Sequence, residues 1–154
     1  MPLCNPSDLK DFLQPGQRLL GLDVGTKTIG LALSDTRLAI ATPLKTLRRT
    51  RFQADATTLF REIESHGVGA LVIGLPIQLD GREGPRAQSV RQFARNLMML
   101  NDLPVAFWDE RFSTAAVERT MIEADLTRRR RKAIIDRSAA AYILQGLLDR
   151  LAHG

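Results

Sequence analysis

The sequence predicts an α/β fold, one sheet with an antiparallel start, and three patterns carry that expectation. Two short apolar runs, 19–24 and 29–34, flank the turn Gly25-Thr26-Lys27-Thr28 and read as a hairpin. Phe52, Ala56, Leu59, Phe60 and Ile63 recur at helical spacing. Ala70-Leu71-Val72-Ile73 is an almost unbroken apolar run, as expected for a strand covered on both faces.

Residues 1–17 contain Pro2, Pro6, Pro15 and Gly16 and read as an N-terminal tail with room for one short helix. The domain then occupies 18–154, with no internal repeat or linker. After the hairpin, 43–47 reads as a third strand. The helix over 52–63 ends before Gly67, a residue suited to the position just past a helix. Beyond the strand 70–73 and a loop over 74–84, Pro85 fits the first turn of a helix, where its missing N–H costs little. Val90, Phe93, Ala94, Leu97 and Leu100 form the buried stripe of that helix. A fifth strand follows at 105–108, with Trp108 expected in the core. Ser113 or Thr114 can cap a helix to about residue 124, and the basic loop 127–132 leads into a final helix. The order is βββ, then αβα, then βαα.

The composition narrows the chemistry. A chain of 154 residues with 44% hydrophobic residues has enough apolar material for one full core. Cys4 is its single cysteine and His66 and His153 its two histidines, which excludes an intramolecular disulfide, a zinc finger and a Cys–His nucleophile pair. No apolar run approaches the about 20 residues that span a bilayer, and the first residues lack a signal-peptide pattern. A cytoplasmic, soluble domain is expected. Net charge is +5, compatible with a polyanionic partner.

The feature with most chemical content is Asp23, a carboxylate inside an apolar strand that stops at Gly25. An ionised acid in such a place costs several kcal/mol or more, unless a cation balances it. Glu110 stands where the run 105–108 ends, and Asp136 lies on the apolar face of the last helical segment, sharing it with Ala139, Ala140, Ile143 and Leu147. Sites in open α/β sheets gather beyond the carboxyl ends of strands; Glu110 is placed there, and Asp23 nearer the middle of its strand. Three inward acids with few histidines or cysteines point to a hard metal held by oxygen. Each acid also has an ordinary explanation: a turn for Asp23, a surface pair with Arg111 or Arg119 for Glu110, a helix N-terminus for Asp136. Adjacent strand residues face opposite sides, so periodicity leaves Asp109 and Glu110 as rivals.

At these residues the chain resembles the YqgF/RuvX family of RNase H-like nucleases, also described as Holliday junction resolvase-like. The matching segments, in family order, are the run from Gly21 to Gly30, Ile73-Gly74-Leu75-Pro76 with Asp80-Gly81, Asp109-Glu110-Arg111-Phe112-Ser113-Thr114, and Lys132-Ala133-Ile134-Ile135-Asp136 with Ala139-Ala140. Gln78 stands where the family more often has Asn. The resemblance implies an RNase H-like fold, a five-stranded mixed sheet flanked by helices. It carries the acidic site onto Asp23, Glu110 and Asp136. It further implies nucleic acid as partner, with processing of the pre-16S ribosomal RNA favoured and junction resolution on DNA as the older proposal.

Phosphodiester hydrolysis then needs an activated water and neutralised phosphate charge, which Mg²⁺, or Mn²⁺ in its place, would supply at the three acids. Lys27, Arg86, Arg111 and the run Arg128, Arg129, Arg130, Arg131 and Lys132 are the expected phosphate contacts. Two other readings compete. Asp-x-Gly-Thr also meets ATP phosphates in the sugar kinase, actin and Hsp70 ATPases, which close two related domains around the nucleotide. A non-catalytic nucleic-acid-binding regulator would bind RNA or DNA without cutting it.

Overall fold

The computed structural model describes residues 3–78, 80–110 and 138–153. A 3-10 helix, Pro6–Phe12, precedes β1 (Arg18–Val24), β2 (Thr28–Ser34), β3 (Ala41–Arg48), α1 (Phe52–Ser65), β4 (Val68–Leu75), α2 (Pro85–Leu100), β5 (Val105–Asp109) and α3 (Ala139–His153). The expected helix after Ser113, the basic loop 127–132 and Asp136 lie outside the described residues. Among the described residues no helix is long and apolar enough to cross a membrane.

The five strands form one mixed sheet in the order β3-β2-β1-β4-β5. β1, β2 and β3 pair antiparallel, whereas β4 pairs parallel with both β1 and β5. The hairpin is tight because the Gly25 N–H donates to the Thr28 carbonyl at 2.8 Å. β4 lies between two parallel neighbours and every one of its residues is buried, which accounts for its unbroken apolar run. Gly67, at φ +64°, turns the chain out of α1 into β4. Upstream, Asp55 accepts the Thr50 N–H at 3.1 Å and its hydroxyl at 2.9 Å, fixing the entry to α1.

The sheet has two unlike faces. One packs Leu20, Leu22, Val24, Ile29, Leu31, Leu71, Ile73 and Leu75 against α1 and α2. The other packs Leu19, Ala32, Ala70, Val72, Ala106 and Trp108 against α3. On this second face Gly21 lets α3 come close, and Gly30 lies under its first turn. A Cβ at Gly21 would stand 2.8 Å from the Leu144 Cβ, and one at Gly30 would stand 3.6 Å from the Ala140 Cβ. α3 begins against a cap, the Ser138 Oγ accepting the Ala141 N–H at 2.9 Å. Ala140, Ile143 and Leu147 are buried as the periodicity requires. Ala139 is exposed, contrary to that reading, because Ala140 and Ala141 take the two positions nearest the sheet.

Residues 3–17, read from the sequence as a tail, are docked. The Cys4 N–H donates to the Val105 carbonyl at 2.9 Å, and Leu9 of the 3-10 helix is fully buried with Leu19 and Trp108 in the α3-side core. Gly69 makes room for this segment; a Cβ there would meet Leu13 Cδ2 at 2.6 Å.

Candidate active site at the carboxyl ends of β1 and β5

Asp23 is the penultimate residue of β1, so it sits at the strand's carboxyl end and not near its middle. It pairs across the hairpin with Gly30, and a Cβ on Gly30 would lie 3.7 Å from the Asp23 Cβ. Alternation along β1 puts Leu19, Gly21 and Asp23 on the face that α3 covers. The site therefore lies beside the first turn of α3.

Glu110 follows β5 directly. Trp108, two residues earlier, is 7% exposed on the α3 face, as expected for a core residue. Asp109 pairs with Leu75, which belongs to the opposite core. Glu110 is therefore the inward acid, and Gly74 gives the independent check. A Cβ on Gly74 would meet the Glu110 Oε1 at 2.6 Å and clash with Ile143 of α3. The glycine leaves the space that the Glu110 carboxylate occupies. Asp23 and Glu110 thus reach one face of the sheet from β1 and β5, on either side of β4.

The electrostatics agree with this convergence. Burial pushes the Asp23 carboxyl above the usual carboxylate range, and Arg86 pulls it partly back. Glu110 is raised too, first by burial and then by the charge of Asp23, with Arg86 opposing and Asp109 adding to the shift. Both acids are half-buried and resist ionisation, and Glu110 senses the charge of Asp23. Among the described residues no three carboxylate, imidazole or thiol groups gather as a metal site.

The basic residues separate into distinct roles. Arg86, in the first turn of α2, donates from Nη2 to the Val24 carbonyl at 3.1 Å and sits within electrostatic reach of both acids. Lys27 is exposed in the β1–β2 turn. Arg111 and the run Arg128 to Lys132 lie outside the described residues. Sequence reading missed Arg49. Its Nη1 donates to the Gly25 carbonyl at 2.6 Å, its own N–H donates to the Lys27 carbonyl at 2.8 Å, and its guanidinium lies 5.3 Å from the Phe93 ring centroid. Two arginines from different elements thus grip successive carbonyls where β1 ends. The arginine-rich stretch 48–51 was the visible signal, but it does not tell which guanidinium turns inward. Gln78 and Arg82 close the loop after β4 through a 2.9 Å backbone bond, and Gly81 at φ +89° makes the turn inside it.

Comparison with known proteins follows the same lines. The family described as "RuvX: Holliday junction resolvase" matches residues 17–150. A protein of Paramagnetospirillum magneticum named "Putative pre-16S rRNA nuclease" is 59% identical over 149 residues, covering 97% of this chain and 96% of its own length. Among solved structures, the yeast mitochondrial Holliday junction resolvase aligns at TM-score 0.54 and 12% identity, over 96% of this chain and 84% of its own. T. thermophilus RuvC in complex with a Holliday junction substrate aligns at TM-score 0.50 and 14% identity, over 89% and 92%. At such identities these structures speak for the fold, the RNase H-like arrangement expected from the sequence.

Proposed function

The chain belongs to the RuvX family, and from that premise we propose that it is a hydrolase cutting phosphodiester bonds in nucleic acid, with the precursor of 16S ribosomal RNA as substrate. The observation that carries the reading is the convergence of Asp23 and Glu110 on one face of the sheet, both with raised pKa. A purely structural acid pair would be matched by close cations. Here Arg86 opposes both charges and still leaves each carboxyl raised.

The donor set fits a hard cation. Asp23 and Glu110 offer four carboxylate oxygens, the ligand type that Mg²⁺ or Mn²⁺ takes. Asp136, outside the described residues, is the third donor in this proposal. When bound, the metal neutralises charge on the reacting phosphate and lowers the pKa of a coordinated water. The protein's own part is positional. Gly21 gives room to α3, and Gly74 gives room to α3 and the Glu110 carboxylate. Arg86 and Arg49 hold the end of β1 in place through the Val24 and Gly25 carbonyls. Lys27 is exposed at the turn, and it, Arg111 and the residues 128–132 are proposed as backbone contacts. Trp108 is buried and takes no part in base stacking. Recognition through phosphates positions a strand without reading its bases.

A four-way DNA junction is the second reading, favoured by the description of the family itself. Wild type and Asp23→Asn, each compared on precursor rRNA, linear DNA and four-way junctions with and without Mg²⁺, separate the possibilities. Mg²⁺-dependent cutting of precursor rRNA that Asp23→Asn abolishes supports the proposal. Cutting confined to junctions assigns the DNA reading. Binding without cutting in any arm leaves a regulator and rejects the enzyme.

A further inference from the structure

The hairpin register places one more arginine on the site face. Asp23, Gly30 and Thr46 form a row across β1, β2 and β3. The next row toward the turn is Gly25, Thr28 and Arg48, since the Gly25 N–H bonds the Thr28 carbonyl and Thr28 pairs with Arg48. Residues two apart on a strand share a face, so Arg48 stands on the face of Asp23. Ile29 and Leu47, the row between, point into the opposite core. Two strand spacings and two residues along the strand put the Asp23 and Arg48 Cα atoms about 12 Å apart.

This part of the face is open and electropositive. Thr28, Thr46 and Arg48 are exposed, and α3 covers the sheet further back, at Ala32 and Ala41. No acid occurs from Val24 to Ser34 or from Ala41 to Arg51, whereas Lys27, Lys45, Arg48, Arg49 and Arg51 do. Lys45 pairs with Glu62 of α1, and Arg49 is committed to Gly25 and Phe93. Lys27, Arg48 and Arg51 pair with no carboxylate among the described residues. Asp55, the first acid after Arg51, is engaged by Thr50. β3 is an edge strand, so nothing in the sheet lies beyond these residues.

We infer that the exposed β2–β3 strip, from Lys27 through Thr28 and Thr46 to Arg48, is a docking track for the phosphate backbone of the substrate strand on its way to the Asp23–Glu110 site. Arg48 is its outer contact and Lys27 its inner one. The track rests on the nuclease reading and extends it by naming the side from which the strand arrives. The contact is to phosphate, so it carries affinity and salt dependence and not sequence preference.

The test uses the full chain carrying Asp23→Asn, so that RNA stays intact, and reads binding of a labelled single-stranded RNA by fluorescence anisotropy across a salt series. Arg48→Glu is compared with Arg95→Glu, the same charge change on α2 at the opposite side of the sheet. Arg48→Glu is expected to weaken binding about tenfold and to lower the salt slope by about 0.7, the value for one lost phosphate contact on a single strand. Arg48→Ala should give a smaller loss in the same direction, and in the catalytic background it should raise KM while leaving kcat unchanged. Equal losses for Arg48→Glu and Arg95→Glu, or none for Arg48→Glu, overturn the track and leave the nuclease reading standing. A chain that binds no RNA at all overturns both.

Discussion

The two faces of the sheet solve different problems with the same strands. Toward α1 and α2 the strands present Leu20, Leu22, Ile29, Leu31, Leu71 and Ile73, large side chains that fill the space between layers. Toward α3 they present Gly21, Gly30, Ala32, Ala70, Gly74 and Ala106 beside the larger Leu19, Val72 and Trp108, and the helix answers with Ala140, Ala141, Ile143, Leu144 and Leu147. The first face gains stability from apolar area. The second gives up area so that a helix backbone can approach the strands, and the acids stand where that approach reaches the strand ends. One face holds the fold together, and the other sets the position of the carboxylates.

This contrast can be broken from either side. The largest effect is expected at the acids: Asp23→Asn or Glu110→Gln should lower cleavage by about 10³-fold, the scale of losing one preorganised electrostatic contact to the reacting group. The same substitutions should raise the melting temperature of the metal-free protein, because each removes a charge that burial disfavours. A melting temperature that falls would contradict the electrostatic picture.

Next come paired substitutions on neighbouring residues of β1. Leu22→Ala, on the filled face, should cost about 2–5 kcal/mol by denaturant unfolding, yet leave cleavage per folded molecule near wild type. Gly21→Ala drives a methyl toward Leu144 and the Ala140 carbonyl and should cost about 1–3 kcal/mol. Its distinguishing mark is lost cleavage per folded molecule, since α3 must lift beside Asp23. If both variants keep full specific activity, the close-approach face has no positional role.

Arg49→Ala should follow, with kcat lowered about tenfold by a misplaced β1–β2 turn and KM held, and with partial recovery in Arg49→Lys. A change in melting temperature alone would reduce Arg49 to a packing residue.

The smallest effect is in pH dependence. An acid with a raised folded pKa binds more protons folded than unfolded, so its contribution to stability is highest at low pH. It falls as pH climbs from about 4 through the raised values. Asp23 and Glu110 should therefore make the metal-free protein lose stability over that window, relative to the Asp23→Asn, Glu110→Gln double variant. Measuring the difference between the two proteins cancels acids shifted the other way, such as Glu62 beside Lys45.

The strands were legible because hydrophobic period and turn chemistry agree with the final sheet, as in the hairpin closed by Gly25 and Thr28. Each of the five observed strands contains a segment that the pattern marks, with ends that differ by a few residues. The choice between Asp109 and Glu110 was not legible, because it depends on pairing Leu75 with Asp109 across two strands separated by a helix. Arg48 and Arg49 illustrate the same limit: they are adjacent in sequence, and only the register with Thr28 sends one to the site face and the other to Phe93. The docked N-terminus escaped notice because a single buried side chain, Leu9, anchors it among prolines and polar residues. Asp136, whose place was argued from helical spacing, lies outside the described residues.

The central claim is that the Asp23 and Glu110 oxygens bind the same divalent ion. Calorimetric titration of Mg²⁺ into wild type, Asp23→Asn, Glu110→Gln and the double variant measures this directly. Each single substitution should weaken binding strongly, and the double variant should weaken it further still. Binding unchanged by either substitution would contradict it.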